Sequence, residues 1–261
     1  MDIRDVPIVR NVLEARYRRR FNSPLGLGAW YGDYDSLTEA QEAAPPRAAI
    51  GYGTAGVETQ YDNFFRIDAK DFPVLFWLER ILEPRMRVFD FGGNVGHTGL
   101  AYRALLTQGS TIDWEVCDLP SMVAEGNRRV EAQQIERLTF TTDRDRASGA
   151  DVFHTAGSLQ YAPQSLGEML AELPAKPRYV VVNMLPTLAD RTTVTLQHIG
   201  PAYCPYRIEA RATLAGAMTS LGYEQLAAWE NPETRTFVPF SKRARRITWT
   251  GYCFRRQTSN T

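Results

Sequence analysis

The sequence has few cysteines and histidines, and it lacks any long apolar run. Its three cysteines, Cys117, Cys204 and Cys253, lie far apart in the chain, so neither a zinc-type pairing nor a disulfide framework is expected. With only three histidines, we expect no metal site. No run of about 18 apolar residues occurs, which argues against a membrane-spanning helix.

An excess of charge of either sign is also missing. Lys plus Arg number 30 and Asp plus Glu number 30 in 261 residues, so the formal net charge is zero. This balance argues against a general nucleic-acid binder. The basic groups at 18–20 and 242–246 are interpreted as solvated faces, with an acidic partner surface as the alternative. Charged residues within 2–10 leave no apolar signal region, which favours a reducing cytoplasm.

A glycine-rich stretch at 87–97, with the sequence RVFDFGGNVGH, organises the rest of the chain. Residues 88–91 have the character of a short buried strand, which stops at Gly92 and Gly93. A third glycine, Gly96, precedes a helix predicted at 99–107, and Thr98 is the expected cap of this helix. Backbone N–H groups and the positive end of a helix can hold a charged or nucleotide ligand at such a turn.

Two patterns of nucleotide-binding turn are candidates here. The dinucleotide pattern G-x-G-x-x-G would need a glycine at Phe91, so it does not match. The other pattern is an acid at the strand end, Asp90, followed by G-x-G-x-G. Asn94 replaces the middle glycine, and Asn is one of the residues that tolerate positive φ. This pattern resembles the first motif of class I S-adenosylmethionine (SAM) dependent methyltransferases. The alternative is a glycine turn that binds no ligand.

Short apolar strands alternate with helical segments through most of the chain. Strands are predicted at 88–91, 112–117, 138–141, 151–155, 179–182, 223–229 and 247–254, and helices at 4–20, 71–83, 99–107, 121–134, 164–172 and 208–221. Such alternation predicts a parallel sheet with helices on both faces. The last strand follows a non-helical connection, so we expect it to pair antiparallel.

The predicted fold class is therefore α/β, with a doubly wound, mostly parallel sheet of seven strands. It would be Rossmann-like, as in class I methyltransferases, and carry an N-terminal helical cap. We predict a cap segment at 1–70, irregular over 21–55, and a SAM-binding domain at 71–261. The cap would cover the pocket and help to select the substrate.

The ends of the predicted strands carry the candidate cofactor residues. Asp118 follows the second strand, where a carboxylate can accept hydrogen bonds from both ribose hydroxyls, and Leu119 would lie against the adenine. Thr142 and Asp143 follow the third strand and are placed to contact the adenine edge. The full cofactor set is Asp90, Gly92, Gly93, Asn94, Gly96, Asp118, Leu119, Thr142, Asp143 and Ser158.

Over residues 55–230 the chain resembles a family of bacterial methyltransferase-like proteins met in polysaccharide and natural-product gene clusters. The matching pieces are D-F-G-G at 90–93, S-L-Q-Y at 158–161, Q-x-I-x-P-x-Y at 197–203 and the aromatic run at 61–65. The C-D-L-P at 117–120 is similar to the second motif of small-molecule O-methyltransferases. The resemblance implies SAM as co-substrate, no metal, a small-molecule acceptor and a role in biosynthesis, with a homodimer as the assembly to consider.

The resemblance also locates the catalytic residues, and two of them depart from the expected types. The histidine base of those O-methyltransferases corresponds to Gln160, and the acid that ends the fifth strand corresponds to Asn183. Neither amide can take a proton at neutral pH. The other candidate bases are His154, Tyr161, His198 and Tyr203, and His154 is interpreted as a core residue because it lies inside a strand.

We therefore expect alignment of an amine nucleophile by Asn183, Tyr161 and Gln197, with His198 as the candidate base if one is needed. One alternative is cyclisation of SAM to azetidine-2-carboxylate and methylthioadenosine, with neutral acceptors such as Gln160 and Ser158 around the amino group. A non-catalytic protein with a SAM-binding fold and a nicotinamide enzyme are the further alternatives.

Overall fold

The computed structural model describes residues 7–53 and 66–257. Its helices in chain order are α1 (Pro7–Phe21), α2 (Leu37–Glu42), α3 (Phe72–Ile81), α4 (His97–Arg103), α5 (Pro120–Gln133), α6 (Leu166–Glu172) and α7 (Arg211–Ser220). Its strands are β1 (Trp30–Tyr34), β2 (Ala49–Ile50), β3 (Arg87–Phe91), β4 (Asp113–Cys117), β5 (Leu138–Thr141), β6 (Val152–Ala156), β7 (Tyr179–Leu188), β8 (Thr193–His198), β9 (Ala202–Ala210), β10 (Tyr223–Glu230) and β11 (Thr248–Arg256).

Seven of these strands form the central sheet, in the order β5-β4-β3-β6-β7-β11-β10. The five strands from β5 to β7 are parallel, whereas β11 runs antiparallel to both β7 and β10. The chain reverses its direction of winding between β3 and β6, which is where doubly wound folds bind their ligands. The predicted fold class is confirmed, including the antiparallel last strand.

Both faces of this sheet are covered by helices, because its central strands are apolar on both sides. Within residues 180–182 of β7, the alternate valines face opposite core layers. One layer includes Leu170 of α6 and Leu214 of α7. The other includes Leu78 of α3 and Tyr102 of α4. Each buried side chain of this size stabilises the folded state by roughly 1.5–3 kcal/mol, so packing in both layers holds β7 in the sheet.

A second, smaller β layer is attached at the end of β7. The hairpin β8–β9 follows β7, and β9 pairs with it at Thr187↔Glu209 and Leu188↔Ala210. From the N-terminal part of the chain, β1 pairs antiparallel with β8, and β2 pairs parallel with β9. The N-terminal segment is therefore joined to the hairpin through backbone hydrogen bonds as well as through α1.

The irregular structure predicted for 21–55 is wrong, because this range contains β1, α2 and β2. The strands β8 and β9 were also not predicted. Residues 193–198 alternate polar and apolar side chains, which is a strand signal. β8 pairs locally with β9, but its other partner is distant, with Trp30 opposite Gln197, so the sequence gives no local clue to the pairing with β1. The division of the chain at residue 70 stays a prediction.

The helix after the glycine stretch begins earlier than predicted. α4 begins at His97, and its N-cap is Gly96, with φ of +85°. Thr98 lies inside the first turn, so its expected capping role is wrong. A glycine with positive φ can cap the helix without a side-chain hydrogen bond, because the turn itself sets the direction of entry.

The aromatic run at 61–65 lies outside the described residues. Within 7–53 and 66–257, no helix combines the length and apolar character needed to cross a membrane. The same ranges contain no group of three or more His, Cys, Asp or Glu side chains arranged to hold a metal ion.

Candidate functional site

The turn after β3 requires the residues that the sequence provides. Gly92, Asn94 and Gly96 all have positive φ, at +72°, +56° and +85°. A β-carbon at position 92 would lie 2.2 Å from the Cβ of Ser158. The turn therefore passes so close to the loop after β6 that only glycine fits, and Asn94 adopts the left-handed conformation that the missing glycine would have taken.

Asp118 joins this turn to the end of β4. Its Oδ2 accepts a hydrogen bond from the backbone N–H of Asn94 at 2.7 Å, and its Oδ1 accepts one from the N–H of Leu119, also at 2.7 Å. Burial raises the pKa of the Asp118 carboxyl above its ordinary value, against the opposite effect of the two N–H donors. A carboxylate has about four acceptor positions, so two remain available for a pair of hydroxyl groups.

Asp90 lies beneath the turn. Its carboxylate is buried and accepts hydrogen bonds from Trp114 Nε1 at 3.0 Å and from His154 Nδ1 at 2.8 Å. The acid of the motif therefore supports the backbone of the turn from below. The interpretation of His154 as a core residue agrees with its full burial.

The other proposed cofactor residues lie around the same edge of the sheet. Ser158 donates its hydroxyl hydrogen to the carbonyl of Phe91 at 2.8 Å, which fixes the loop after β6 against β3. Leu119 is 37% exposed at the start of α5, which leaves its side chain free to cover a planar group. Thr142 and Asp143 are exposed, and Asp143 caps a short 3-10 turn by accepting the N–H of Asp145.

Gln160 is a buried residue that holds its own loop. Its Nε2 donates to the carbonyl of Gly157 at 2.8 Å. Its Oε1 has no hydrogen-bond partner within the described ranges, and the side chain lines a small cavity with Leu185, Glu209 and Leu214. Because Leu214 belongs to α7, this cavity lies on the face of the sheet that α6 and α7 cover. The amide therefore shapes the loop rather than offering a base.

Asn183 uses its side-chain amide for structural contacts. Its Nδ2 donates to the carbonyl of Lys70 at 3.0 Å, and its Oδ1 accepts from Trp229 at 3.1 Å and Asn231 at 3.2 Å. The side chain thus links the segment before α3 to the end of β10. Its expected role in orienting a nucleophile stays a prediction, and these contacts leave little capacity for it.

A β-bulge follows directly, and sequence reasoning missed it. Asn183 and Met184 together oppose Gly251 of β11, and Met184 has φ of +53°. This is an unfavourable conformation for a long side chain, and bulges often occur beside active sites. The bulge brings Met184 close to Gly157. A β-carbon added to Gly157 would lie 3.8 Å from the Cβ of Met184.

Tyr161 and Gln197 are hydrogen-bonded to each other, and their role in orienting a nucleophile stays a prediction. The phenol donates to Gln197 Oε1 at 2.8 Å. The ring of Tyr161 packs edge-on against Tyr52 and Tyr206, with centroid distances of 4.6 and 5.3 Å. Tyr161, which belongs to the loop after β6, is therefore packed among neutral and mostly aromatic side chains. Tyr52 carries no motif that would have indicated this contact.

His198 and Tyr203 lie on the other face of the β8–β9 hairpin. Successive side chains of a strand point to opposite faces, so His198 points away from the side that Gln197 occupies. Its ring stacks on Tyr203 at 4.5 Å and lies edge-on to Phe21 at 6.0 Å. His198 is thereby packed beneath the N-terminal segment and separated from Tyr161.

Comparison with known proteins finds likeness at the level of structure. No protein-family model matches the sequence, and no curated protein matches it. A magnesium protoporphyrin IX methyltransferase from Synechocystis PCC 6803, solved with bound SAM, is 14% identical, with a TM-score of 0.51 over 79% of this chain and 93% of that one. The 1,6-didemethyltoxoflavin-N1-methyltransferase of Burkholderia thailandensis, solved with S-adenosylhomocysteine, is 17% identical, with a TM-score of 0.50 over 73% and 79%.

These likenesses define the class of fold. The strand order, the antiparallel last strand and the glycine turn after β3 are features of the structure itself. The chain has the fold of class I SAM-dependent methyltransferases.

Proposed function

We propose that this protein binds SAM at the turn formed by residues 92–96 and transfers its methyl group to a small-molecule acceptor. The observation that carries the proposal is the position of Asp118, whose carboxylate lies against the N–H of Asn94 at 2.7 Å. A nucleotide at this turn would meet the open acceptor positions of Asp118 through its ribose hydroxyls and the exposed side of Leu119 through its base. The fold shared with methyltransferases supports this assignment.

The acceptor would lie near the Tyr161–Gln197 pair, which the loop after β6 and the β8–β9 hairpin form. Phenol and amide groups align a nucleophile through hydrogen bonds, and both are neutral at pH 7. The sulfonium of SAM already activates the methyl group, so alignment of nucleophile and leaving group supplies much of the catalysis. An amine acceptor suits this site best, because it needs no protein base once it has lost its proton.

Cyclisation of SAM is the second candidate, because the neutral Tyr161–Gln197 pair suits an internal amine as well as an external one. In that reaction the lone pair of the SAM amine attacks the γ-carbon, the carbon–sulfur bond breaks, methylthioadenosine leaves, and the azetidine nitrogen gives its extra proton to solvent. Methyl transfer to an external acceptor leaves S-adenosylhomocysteine instead. The two candidates therefore differ in the adenosine product.

Two measurements test the proposal. Isothermal titration calorimetry of the purified protein with SAM is expected to give one binding site per chain, and an Asp118→Ala variant is expected to bind about tenfold more weakly or worse, the effect of losing one hydrogen bond to a charged group. Incubation with SAM alone, followed by mass spectrometry, then identifies any adenosine product. A folded protein that does not bind SAM would contradict the proposal and favour a non-catalytic role.

The setting of this activity is part of the proposal. The resemblance to gene-cluster methyltransferases supports a role in secondary-metabolite or polysaccharide biosynthesis in the cytoplasm. A homodimer is the proposed assembly, and the N-terminal segment 1–70 is proposed as the cap of the pocket. Sedimentation of the protein tests the proposed homodimer, and turnover by variants of segment 1–70 tests its proposed role as a cap.

A further inference from the structure

A buried polar network lies beneath the glycine turn, on the face of the sheet that α3 and α4 cover. Asp90 accepts hydrogen bonds from His154 and Trp114, and none of the three side chains is more than 1% exposed. We call these three side chains the polar shelf. Because an ionised carboxylate only accepts hydrogen bonds, Nδ1 of His154 carries the proton in this arrangement.

The backbone of the turn and of α4 rests directly on the polar shelf. A β-carbon at Gly93 would lie 2.4 Å from Oδ2 of Asp90, and one at Gly99 would lie 2.5 Å from Nε1 of Trp114. Glycine at both positions lets the main chain touch the polar atoms without an intervening side chain. The direction of the turn's N–H groups therefore depends on where the Asp90 carboxylate is held.

We propose that His154 is a positioning residue for the cofactor, acting through Asp90 on the turn at 92–96. This inference rests on the proposed binding of SAM at that turn. His154 lies directly beside Asp90 in the β3–β6 ladder, so its Nδ1–H approaches Oδ1 without rearrangement. Without this donor, Oδ1 would be buried and unpaired, which is unfavourable for a carboxylate, so the side chain would rotate from its present position.

The other ring nitrogen of His154 supports a specific role for the donor. Its Nε2 has no hydrogen-bond partner in the part of the chain that the structure describes, and the ring packs against Tyr102 and Trp114, with centroid distances of 5.8 and 5.7 Å. An unpaired buried polar atom costs stability. A residue needed only to fill this space would be better replaced by an apolar ring, so the imidazole is explained by its Nδ1–H.

Three variants separate the donor from the shape and from general stability. His154→Asn keeps an N–H donor near the position of Nδ1, whereas His154→Phe keeps a ring and loses the donor. Val152→Ala is the matched control, because Val152 is buried on the same strand and the same face but lies away from the turn. The readouts are SAM affinity by calorimetry, the melting temperature, and the hydrogen exchange of the amides of 92–96 without SAM.

We expect His154→Asn and Val152→Ala to bind SAM within about threefold of the unmodified protein, and His154→Phe to bind at least about tenfold more weakly. The turn amides should exchange faster in His154→Phe alone. Equal SAM affinity of a folded His154→Phe would overturn the inference, and so would an equal loss in Val152→Ala or in His154→Asn. If His154→Phe does not fold, His154→Leu gives the same test.

The two proposals fail in different ways. If the unmodified protein does not bind SAM, the proposed function is wrong, and the exchange of the turn amides in His154→Phe still tests the link from His154 to the turn. If the unmodified protein binds SAM and the variants all bind equally well, only the positioning role of His154 is wrong.

Discussion

The phenol of Tyr161 donates a hydrogen bond to the side-chain oxygen of Gln197, 2.8 Å away, and so joins the loop after β6 to the β8–β9 hairpin. The next residue, His198, points to the opposite face of the hairpin and stacks on Tyr203. Gln197 and His198 are neighbours in the sequence, but their side chains lie on opposite faces of the hairpin. The candidate base His198 is therefore separated from the Tyr161–Gln197 pair that we propose aligns the nucleophile.

This separation predicts different effects for two matched variants. Tyr161→Phe should slow SAM consumption by about three- to tenfold, because it removes one neutral hydrogen bond. His198→Asn should change the rate less than about tenfold, since removal of a true general base costs typically 10²–10⁴-fold. A loss of about a thousandfold in His198→Asn, with SAM binding intact, would restore a base-assisted mechanism and make an oxygen acceptor the better choice.

The pH dependence of SAM binding should report on Asp118. Burial raises the pKa of this carboxyl, so on acidification it takes up a proton before an ordinary Asp does, and it then accepts fewer hydrogen bonds from a ribose. SAM affinity should therefore fall as the pH decreases, with a midpoint above the ordinary Asp value of about 3.9. Calorimetry across this range checks the sign. Asp118→Asn should bind weakly at every pH, and an unchanged pH profile in that variant would assign the titration to another group.

The raised pKa of Asp118 also makes the stability of the fold depend on pH. The pKa of Asp118 is higher in the folded than in the unfolded state, so the folded protein binds more protons at this carboxyl. The contribution of Asp118 to stability therefore increases as the pH falls from neutral towards the pKa that the carboxyl has in the unfolded chain.

One glycine substitution should abolish SAM binding, whereas a second, inside a helix, should only raise stability. Gly92→Ala places a β-carbon 2.2 Å from Ser158 Cβ at φ of +72°, so we expect SAM binding to be lost while the fold is retained. Gly216→Ala is the control, because Gly216 lies inside α7 with open space around it. This change should increase stability by about 0.5–1 kcal/mol. Undiminished SAM affinity in Gly92→Ala would mean that the turn has no ligand role.

The attachment of the N-terminal segment depends on Phe21. Its ring is 1% exposed and packs against Tyr31 and Tyr203 at 5.6 and 5.4 Å. Phe21→Ala should lower the free energy of unfolding by about 3–5 kcal/mol, as is typical of buried aromatic truncations. Chemical denaturation measures this loss. SAM affinity should stay within about threefold, because Phe21 belongs to the second β layer, and a tenfold loss would show that the layer shapes the cofactor site.

Much of the central sheet could be predicted from the sequence. The strands of the central sheet and the helices between them show clear hydrophobic periods, and turn residues such as Gly222 mark their ends. The glycine turn could be located for the same reason, because its residues are local in sequence and their conformations follow from residue type. Gly92 and Asn94 adopt the positive φ that their small or polar side chains allow.

The second β layer and the roles of the polar residues were decided by tertiary structure. Gln160 and Asn183 look equivalent as neutral amides in the sequence, yet one holds its own loop and the other joins Lys70 to Trp229. Which face of β8 carries Gln197 and which carries His198 depends on pairing with β1, more than 150 residues away.

The sequence by itself therefore determined the α/β fold, the place of the glycine turn and the acids at the ends of β3 and β4, because these features depend on local periodicity and on residue type. Only the tertiary structure decided that Asp90 is buried and hydrogen-bonded to His154 and Trp114, whereas Asp118 is hydrogen-bonded to the backbone of the turn. The physical reason is that hydrogen bonding and burial of a side chain depend on neighbours from other strands, and strand pairing brings those neighbours together from distant parts of the chain.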